Sequence, residues 1–314
     1  MIKSCILILV LFFFSIACSK RSTGTDDDNK NDQPLVTKAG LNTAFEMAAW
    51  NIEWFPKSGP PTIDYVKSII RDLDVDLFAV QEIASVHSFN TLLDSLPGWG
   101  GVLSNDTYGD GSYQKTGILY KTSFISLSSV KNIFTSDGYA FPRPPLSASV
   151  KIKDLDGTKF DFTVIVVHLK AMSGKENEAR RRSACENLKE YIDNEITSGA
   201  DPDFVVIGDW NDILTDPESE NVFKVFLDDT TNYNFLTQAL NGRYSYISNT
   251  YNSLIDHILI TGSSKNFYGN GLTDVLYLDD EFIQYRSLVS DHRPVMARFG
   301  GFTLNLQPPA ENNN

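Results

Sequence analysis

Apolar residues recur along the chain in short runs bounded by turn residues. EMAAWNIEW (46–54), DLFAVQEI (76–83), KTGILYKTS (115–123), PLSASVKIK (145–153), FDFTVIVVHLKA (160–171), DFVVIGDWN (203–211), LIDHILIT (254–261) and HRPVMARF (292–299) are rich in β-branched and aromatic residues. They predict eight or more strands. Ile63, Val66, Ile69, Ile70 and Leu73 recur at helical spacing, as do Ala179, Ala184, Leu188, Tyr191 and Ile192, which predicts two amphipathic helices. YGDGSYQK and TSDGYAFPRPP carry turn residues, and no repeat or internal linker divides residues 41–303. The expectation is one α/β domain of layered sheets flanked by helices.

The two ends follow other rules. MIKSCILILVLFFFSIACSK places Lys3 before an apolar run from Cys5 to Phe14. That run is too short for a stable bilayer span and fits a signal peptide over residues 1–17. Cleavage between Ala17 and Cys18 resembles a bacterial lipoprotein signal, with Ser15 where that pattern prefers leucine; lipidated Cys18 would then tie the protein to the cell envelope. The alternative is a secretory signal with Cys18 a bystander. Residues 18–40 are polar and poor in large apolar groups, as in a flexible tether, and residues 304–314 read as a disordered tail.

Composition narrows the partners. The formal net charge is −13, which argues against polyanion binding over the whole surface and leaves room only for a local basic groove. Of the three cysteines, Cys5 belongs to the signal and Cys18 to the anchor, so Cys185 stands alone and no intrachain disulfide is expected. No obligate protein partner is implied.

Several apolar runs end in polar residues. FVVIG leads into Asp209, Trp210, Asn211 and Asp212; WNIE holds Asn51 and Glu53, FAVQEI holds Glu82, VIVVHLK holds His168, SLIDHILI holds Asp256, and VSDHRPV holds Asp291 and His292. Singly, each reads as a turn residue, an exposed acid or a core histidine. Together, carboxylates, an amide and imidazoles at the rims of buried strands make a site, because charges there lose solvation and need a compensating partner.

In order, WNIEW, VQEI, FPRPPL, VVHLK, IGDWND, LIDHIL and SDHRPV resemble the endonuclease/exonuclease/phosphatase superfamily of deoxyribonuclease I-like, metal-dependent phosphodiesterases. The resemblance spans about residue 45 to 299, and its most specific part is GD-x-N followed much later by SDH-x-P. It implies a four-layered α/β sandwich, two mixed sheets packed face to face with helices outside. It also implies Mg²⁺, or Mn²⁺, held by Glu82 with Asn51 and Asp291; Glu53 would lie behind them. His292 would be the general base and Asp256 its carboxylate partner. Asp209 and Asn211 would position nucleophile and phosphate, His168 would stabilise the phosphate or protonate the leaving group, and Arg143 would hold a phosphate oxygen.

The chemistry asks for these residue types independently. A phosphodiester needs charge neutralisation, a deprotonated nucleophile and help for the departing alkoxide. Mg²⁺ takes hard oxygen ligands and keeps several waters. Asp212 reads as a cap and Trp210 as packing. HLKA before a helix bearing Arg180, Arg181 and Arg182 resembles extracellular bacterial nucleases, which favours DNA; by itself an arginine run reads as a solvated helix face. SLIDHI departs from the pattern of inositol-phosphate phosphatases, while a sphingomyelinase-like or other phosphoesterase remains an alternative. A non-catalytic surface binding protein is the competing class, and the presence of every base, metal and phosphate residue opposes it.

Overall fold

Side chains alternate faces along a strand, and here both faces are apolar. In the computed structural model, which describes residues 33–306 apart from residue 241, the first strand, β1 (Phe45–Phe55), sends Phe45, Met47 and Ala49 into one core and Ala48, Trp50 and Ile52 into another. Such a strand must be covered on both sides. The elements that follow are α1 (Pro60–Leu73), β2 (Leu77–Ile83), α2 (Val86–Asp94), β3 (Trp99–Leu103), β4 (Lys115–Lys121), β5 (Ile125–Asn132), β6 (Leu146–Asp154), β7 (Gly157–His168), α3 (Lys175–Thr197) and β8 (Phe204–Asp209). After them come α4 (Lys224–Leu227), β9 (Tyr233–Phe235), the hairpin β10 (Tyr246–Ile247) and β11 (Asn252–Ser253), β12 (Asp256–Thr261), α5 (Lys265–Tyr268), β13 (Leu272–Val275), α6 (Leu278–Glu281), α7 (Tyr285–Leu288) and β14 (Val295–Phe299).

Two six-stranded sheets result, in the orders β13-β14-β1-β2-β4-β3 and β5-β6-β7-β8-β12-β9. Both are mixed: β1 runs parallel to β2 and β7 parallel to β8, and the other neighbours are antiparallel. The largest core lies between the sheets, where Met47 and Leu77 of one meet Val164, Val205 and Ile258 of the other. A second core joins the first sheet to α1 through Val66, Ile69, Ile70 and Leu73. A third joins the second sheet to α3 through Ala184, Cys185, Leu188 and Ile192. The expected four layers of helix, sheet, sheet and helix are therefore present.

Three expectations change. Ala179 is exposed, and buried Arg181 takes the inward position in the first turns of α3. The packed unit also reaches past both expected boundaries. Val36 is buried, and the Leu35 and Thr37 N–H groups donate to Asp72 and Glu281; at the other end Leu304 is buried and its N–H donates to the Thr43 carbonyl. Tether residues 18–32, tail residues 307–314 and the signal segment, Cys18 among them, lie outside the described residues. Among the described residues, no helix is long and apolar enough to cross a membrane.

Candidate active site

The inter-sheet core gives way to polar residues at one edge of the sandwich, and strand parity explains which ones. Asn51 follows Phe45, Met47 and Ala49; His168 follows Phe160, Phe162, Val164 and Val166; Asp209 follows Val205 and Ile207; Asp256 precedes Ile258 and Ile260. Every member of each series faces the gap between the sheets. Register completes the arrangement, since Asp209 is paired with both His168 and Asp256. All four polar residues are buried. One glycine is needed to bring β7 and β8 together here: Gly208 has φ 142°, and a Cβ on it would lie 2.1 Å from the Val167 carbonyl oxygen.

Glu82 has the wrong parity. It continues Phe78 and Val80, which face α1, yet its carboxylate reaches the site. The pairing of β2 with β4 slips between Val80 and Ile83, and Glu82 takes a left-handed φ of 64°. A bulge of this kind re-aims a side chain. Glu82 Oε1 accepts from Asn51 Nδ2 at 3.2 Å and Oε2 accepts from the Trp54 N–H at 3.0 Å. The same Asn51 amide donates to Asp209 Oδ2 at 3.1 Å, so one side chain spans the two sheets and links two acids. His168 Nε2 lies 3.5 Å from Asp209 Oδ2 and 3.7 Å from Glu82 Oε1.

His292 enters from the loop before β14. Its Nδ1 is 2.8 Å from Asp256 Oδ2, while Nε2 is 3.9 Å from both Asp209 Oδ2 and Asp291 Oδ1. The sequence reading missed the groups that hold it. Ser290 Oγ accepts from the His292 N–H and donates to the Asn51 carbonyl, Tyr285 Oη donates to the His292 carbonyl and accepts from Trp50 Nε1, and Ser245 Oγ accepts from the Asp256 N–H. Single serines in loops and a tyrosine in the one-turn helix α7 carry no periodic signal, so only their partners reveal them.

The two histidines are held in opposite states. Burial pushes His168 well below its ordinary value, and Arg143 and the His292 cation push the same way. Burial also penalises charge on His292, but Asp256, Asp209 and Asp291 outweigh it and raise its pKa to about 10. Burial, with Asp256 beside it, raises Asp209 to about 7, and burial with Glu53 and Glu82 nearby raises Asp291 to about 6. Negative charge is thus in excess.

That excess is what a hard cation would relieve. Asp209, Asp256 and His292 offer donor atoms within 4.8 Å of one another, Glu82, Asp291 and the Asn51 amide lie beside them, and buried Asp256 Oδ1 has no hydrogen-bond partner among the described residues. Oxygen donors dominate, so the set fits a divalent cation.

The remaining predicted residues are committed to the protein's own groups. Asn211, at φ 55°, donates its amide to the Leu169 carbonyl and its N–H to Asp209 Oδ1. Arg143 donates to the carbonyls of His168 and Leu169 and to Gln114 Oε1, with Tyr108 also within reach of its guanidinium, which fixes the turn after β7. Glu53 accepts from the Asp291 N–H and pairs with Lys57. Trp210 is buried in an aromatic cluster with Phe223, Phe226 and Phe235. Asp212 is no simple cap: it pairs with buried Arg181 at 2.8 Å, while Arg180 and Arg182 bond loop carbonyls. The arginine run therefore fastens loops to α3 and is not a solvated face.

Residues 48–292 match the Endonuclease/Exonuclease/phosphatase family, whose members hydrolyse phosphoester bonds and generally use a divalent metal. The chain is similar in structure to a family protein of Bacteroides thetaiotaomicron, with 16% identity, a TM-score of 0.57 and coverage of 84% of this chain and 96% of that one. The human Nocturnin catalytic domain, with bound sulfate, matches with 19% identity and a TM-score of 0.58 over 82% of this chain and 94% of its own. The 3′ phosphatase NExo from Neisseria, bound to product DNA hairpin, matches with 18% identity and a TM-score of 0.58 over 82% of this chain and 100% of its own. Identities this low carry the fold alone. No curated protein matches the chain. Family match, sheet order and converging polar residues agree that the chain belongs to the endonuclease/exonuclease/phosphatase family and is a phosphoesterase of that superfamily.

Proposed function

We propose that the protein is a Mg²⁺-dependent phosphodiesterase that hydrolyses nucleic acid, DNA in particular, outside the cytoplasm. The observation that carries the chemistry is the pair of histidines in opposite protonation environments across a ring of buried carboxylates. Glu82, Asp291 and Asn51 would hold the cation, with Asp209 beside them. When bound, it neutralises phosphate charge and the surplus of the carboxylates.

Relieved of that surplus, His292 accepts a proton at Nε2 from the attacking water, while Asp256 at Nδ1 holds the imidazole's orientation and stabilises its charged form. Asp209, with Asn211 bonded to it through the Asn211 N–H, would position the water and phosphate. His168, neutral and wedged between Glu82 and Asp209, serves the phosphate or the leaving oxygen. Arg143, fastened beside the site by the carbonyls of His168 and Leu169, would supply its charge to a phosphate oxygen. The preference for DNA rests on the sequence resemblance, not on the geometry.

The test is the purified protein with Mg²⁺ or Mn²⁺ against plasmid DNA, RNA, sphingomyelin and a soluble inositol phosphate. DNA cleavage that EDTA abolishes is the expected result. Hydrolysis of sphingomyelin alone would move the substrate to phospholipid, and no hydrolysis of any would favour a binding protein. Anchoring through lipidated Cys18 is proposed from the sequence, and Cys18→Ala should release the protein from the membrane fraction. Equal release of wild type and variant would leave an ordinary secretory signal.

A further inference from the structure

The mouth of the site carries aromatic side chains that hydrolysis does not use. Trp54 directly follows Glu53, its side chain is exposed (58% for the residue), and its main-chain N–H donates to Glu82 Oε2, which sets the residue at the rim of the site. Tyr246, from the β10–β11 hairpin, packs its ring 5.1 Å from the His292 ring, and burial, Asp291, Tyr251 and Glu53 raise its pKa. Tyr251 lies 5.5 Å from Tyr246 and is 62% exposed. One ring flanks the Glu82 side of the centre, therefore, and two flank the His292 side.

The mounting is rigid. Ser248 Oγ accepts from the N–H groups of Thr250 and Tyr251, which locks the turn that carries Tyr251. Arg286 Nη1 donates to Asn249 Oδ1 in that turn at 2.9 Å, and Lys57 Nζ donates to the Arg286 carbonyl at 2.7 Å. Lys57 in turn pairs with Glu53, next to Trp54. A continuous series of contacts thus joins the two aromatic walls and sets two cations between them. Large rings held exposed beside a polar centre mark a ligand contact, because their burial favours binding and their fixed geometry costs little entropy.

We propose that Trp54 and the Tyr246–Tyr251 pair are a specificity element that stacks an unpaired nucleobase flanking the scissile phosphate, so that the enzyme prefers single-stranded or frayed DNA to intact duplex. This rests on the nucleic-acid reading above. In a duplex the faces of a base are covered by its neighbours, so only an unstacked base can offer a face to these rings. Lys57 is paired with Glu53, so Arg286 supplies the positive charge where the strand continues, in a protein whose net charge is −13. A hexose ring could also stack on tryptophan, but a single sugar phosphate held at the centre gives Arg286 no second anion to meet.

Cleavage of labelled oligonucleotides tests the proposal. Wild type should cut a single strand faster than the same strand in a blunt duplex. An abasic residue next to the cut bond should lower kcat/KM at least about fivefold, the scale of one lost stacking contact. Trp54→Ala with Tyr251→Ala should lose a similar factor on the normal strand and become indifferent to the abasic residue. Of the four tryptophans Trp50 and Trp210 are buried and Trp99 is half-buried on β3, so oligo(dT) should quench an exposed fluorescence component that persists in Trp99→Phe and is lost in Trp54→Phe, a readout independent of turnover. Normal cleavage by the double variant, or equal rates on single strand and duplex, would overturn this proposal and leave the nuclease reading intact. Absence of any DNA cleavage would overturn both. Hydrolysis of a hexose 6-phosphate whose KM rises in the variants would assign the rings to a sugar.

Discussion

The sandwich gathers carboxylates at two opposed ends, and the two ends treat them differently. At the end away from the site, burial and the neighbouring Asp76 raise Glu46 to about 8, and burial raises Asp76. Yet each has a fixed cation. Arg298 Nε meets Glu46 Oε1 at 2.6 Å, and Lys121 Nζ meets Asp76 Oδ1 at 2.8 Å and Asp74 Oδ1 at 2.5 Å. Main-chain groups join the cluster: the Leu41 N–H donates to Glu46, the Glu46 N–H donates to Asp76, and Arg298 reaches the Ala39 carbonyl, and only Glu46 Oε2 among these carboxylate oxygens is buried without a partner among the described residues. At the site end Glu82, Asp209, Asp256 and Asp291 face His292 and the tethered Arg143. A closed ionic cluster holds the fold together; an open one stores a demand for a cation and a phosphate.

The sharpest way to break this contrast is to remove the metal. EDTA should abolish phosphoesterase activity and Mg²⁺ or Mn²⁺ should restore it, and full activity in chelator would end the distinction. Next in size is His292→Ala, expected to lower kcat about 10²–10⁴-fold. Asp256→Asn should damage the same step, so the double variant should resemble the worse single one. A loss below about tenfold for His292→Ala would remove it from the base role. Circular dichroism must first confirm that each variant folds, since both residues are buried.

Arg298→Met probes the closed cluster. It strands buried Glu46 and should cost about 3–5 kcal/mol in denaturant unfolding, with kcat/KM unchanged in the folded fraction. A comparable loss of kcat/KM would show that the two ends are coupled.

The smallest effect is in the pH dependence of stability. Glu46, Asp209 and Asp291 are acids whose folded pKa values exceed their ordinary ones, so the folded state binds more protons and loses stability as pH rises. For Glu46 the window runs from 4.5 to about 8, and for Asp209 from 3.8 to about 7. His292 adds stability below 6.5 that disappears as pH rises through about 10. Mg²⁺ competes with protons only at the open end. Its upward shift of Tm should therefore grow from pH 5 to pH 8, and Glu46→Gln should flatten the metal-free profile without altering that growth. A Mg²⁺ shift independent of pH would place the cation away from Asp209 and Asp291.

Much of the site was legible because strand parity and residue type coincide. Asn51, His168, Asp209 and Asp256 each extend an apolar series of period two, and that series is written in the local sequence. Parity fails at Glu82, where a left-handed residue at a bulge turns the side chain inward. It fails again along α3: three consecutive arginines read as solvated, whereas Arg181 is drawn inside by Asp212 from a segment after β8. Tyr246 and Ser290 were invisible, since their partners His292 and Asn51 lie far off in sequence.

The sequence by itself determined the layered α/β class, the strands whose ends carry the chemistry, and the family, because alternation, turn residues and short motifs are local properties of the chain. Only the tertiary structure decided which carboxylates are matched by cations and which are left open. Lys121 and Arg298 close one end, while at the other the donors of Arg143 are turned to main-chain carbonyls. Charge balance is a sum over neighbours that the fold assembles from distant segments, and no local pattern encodes it.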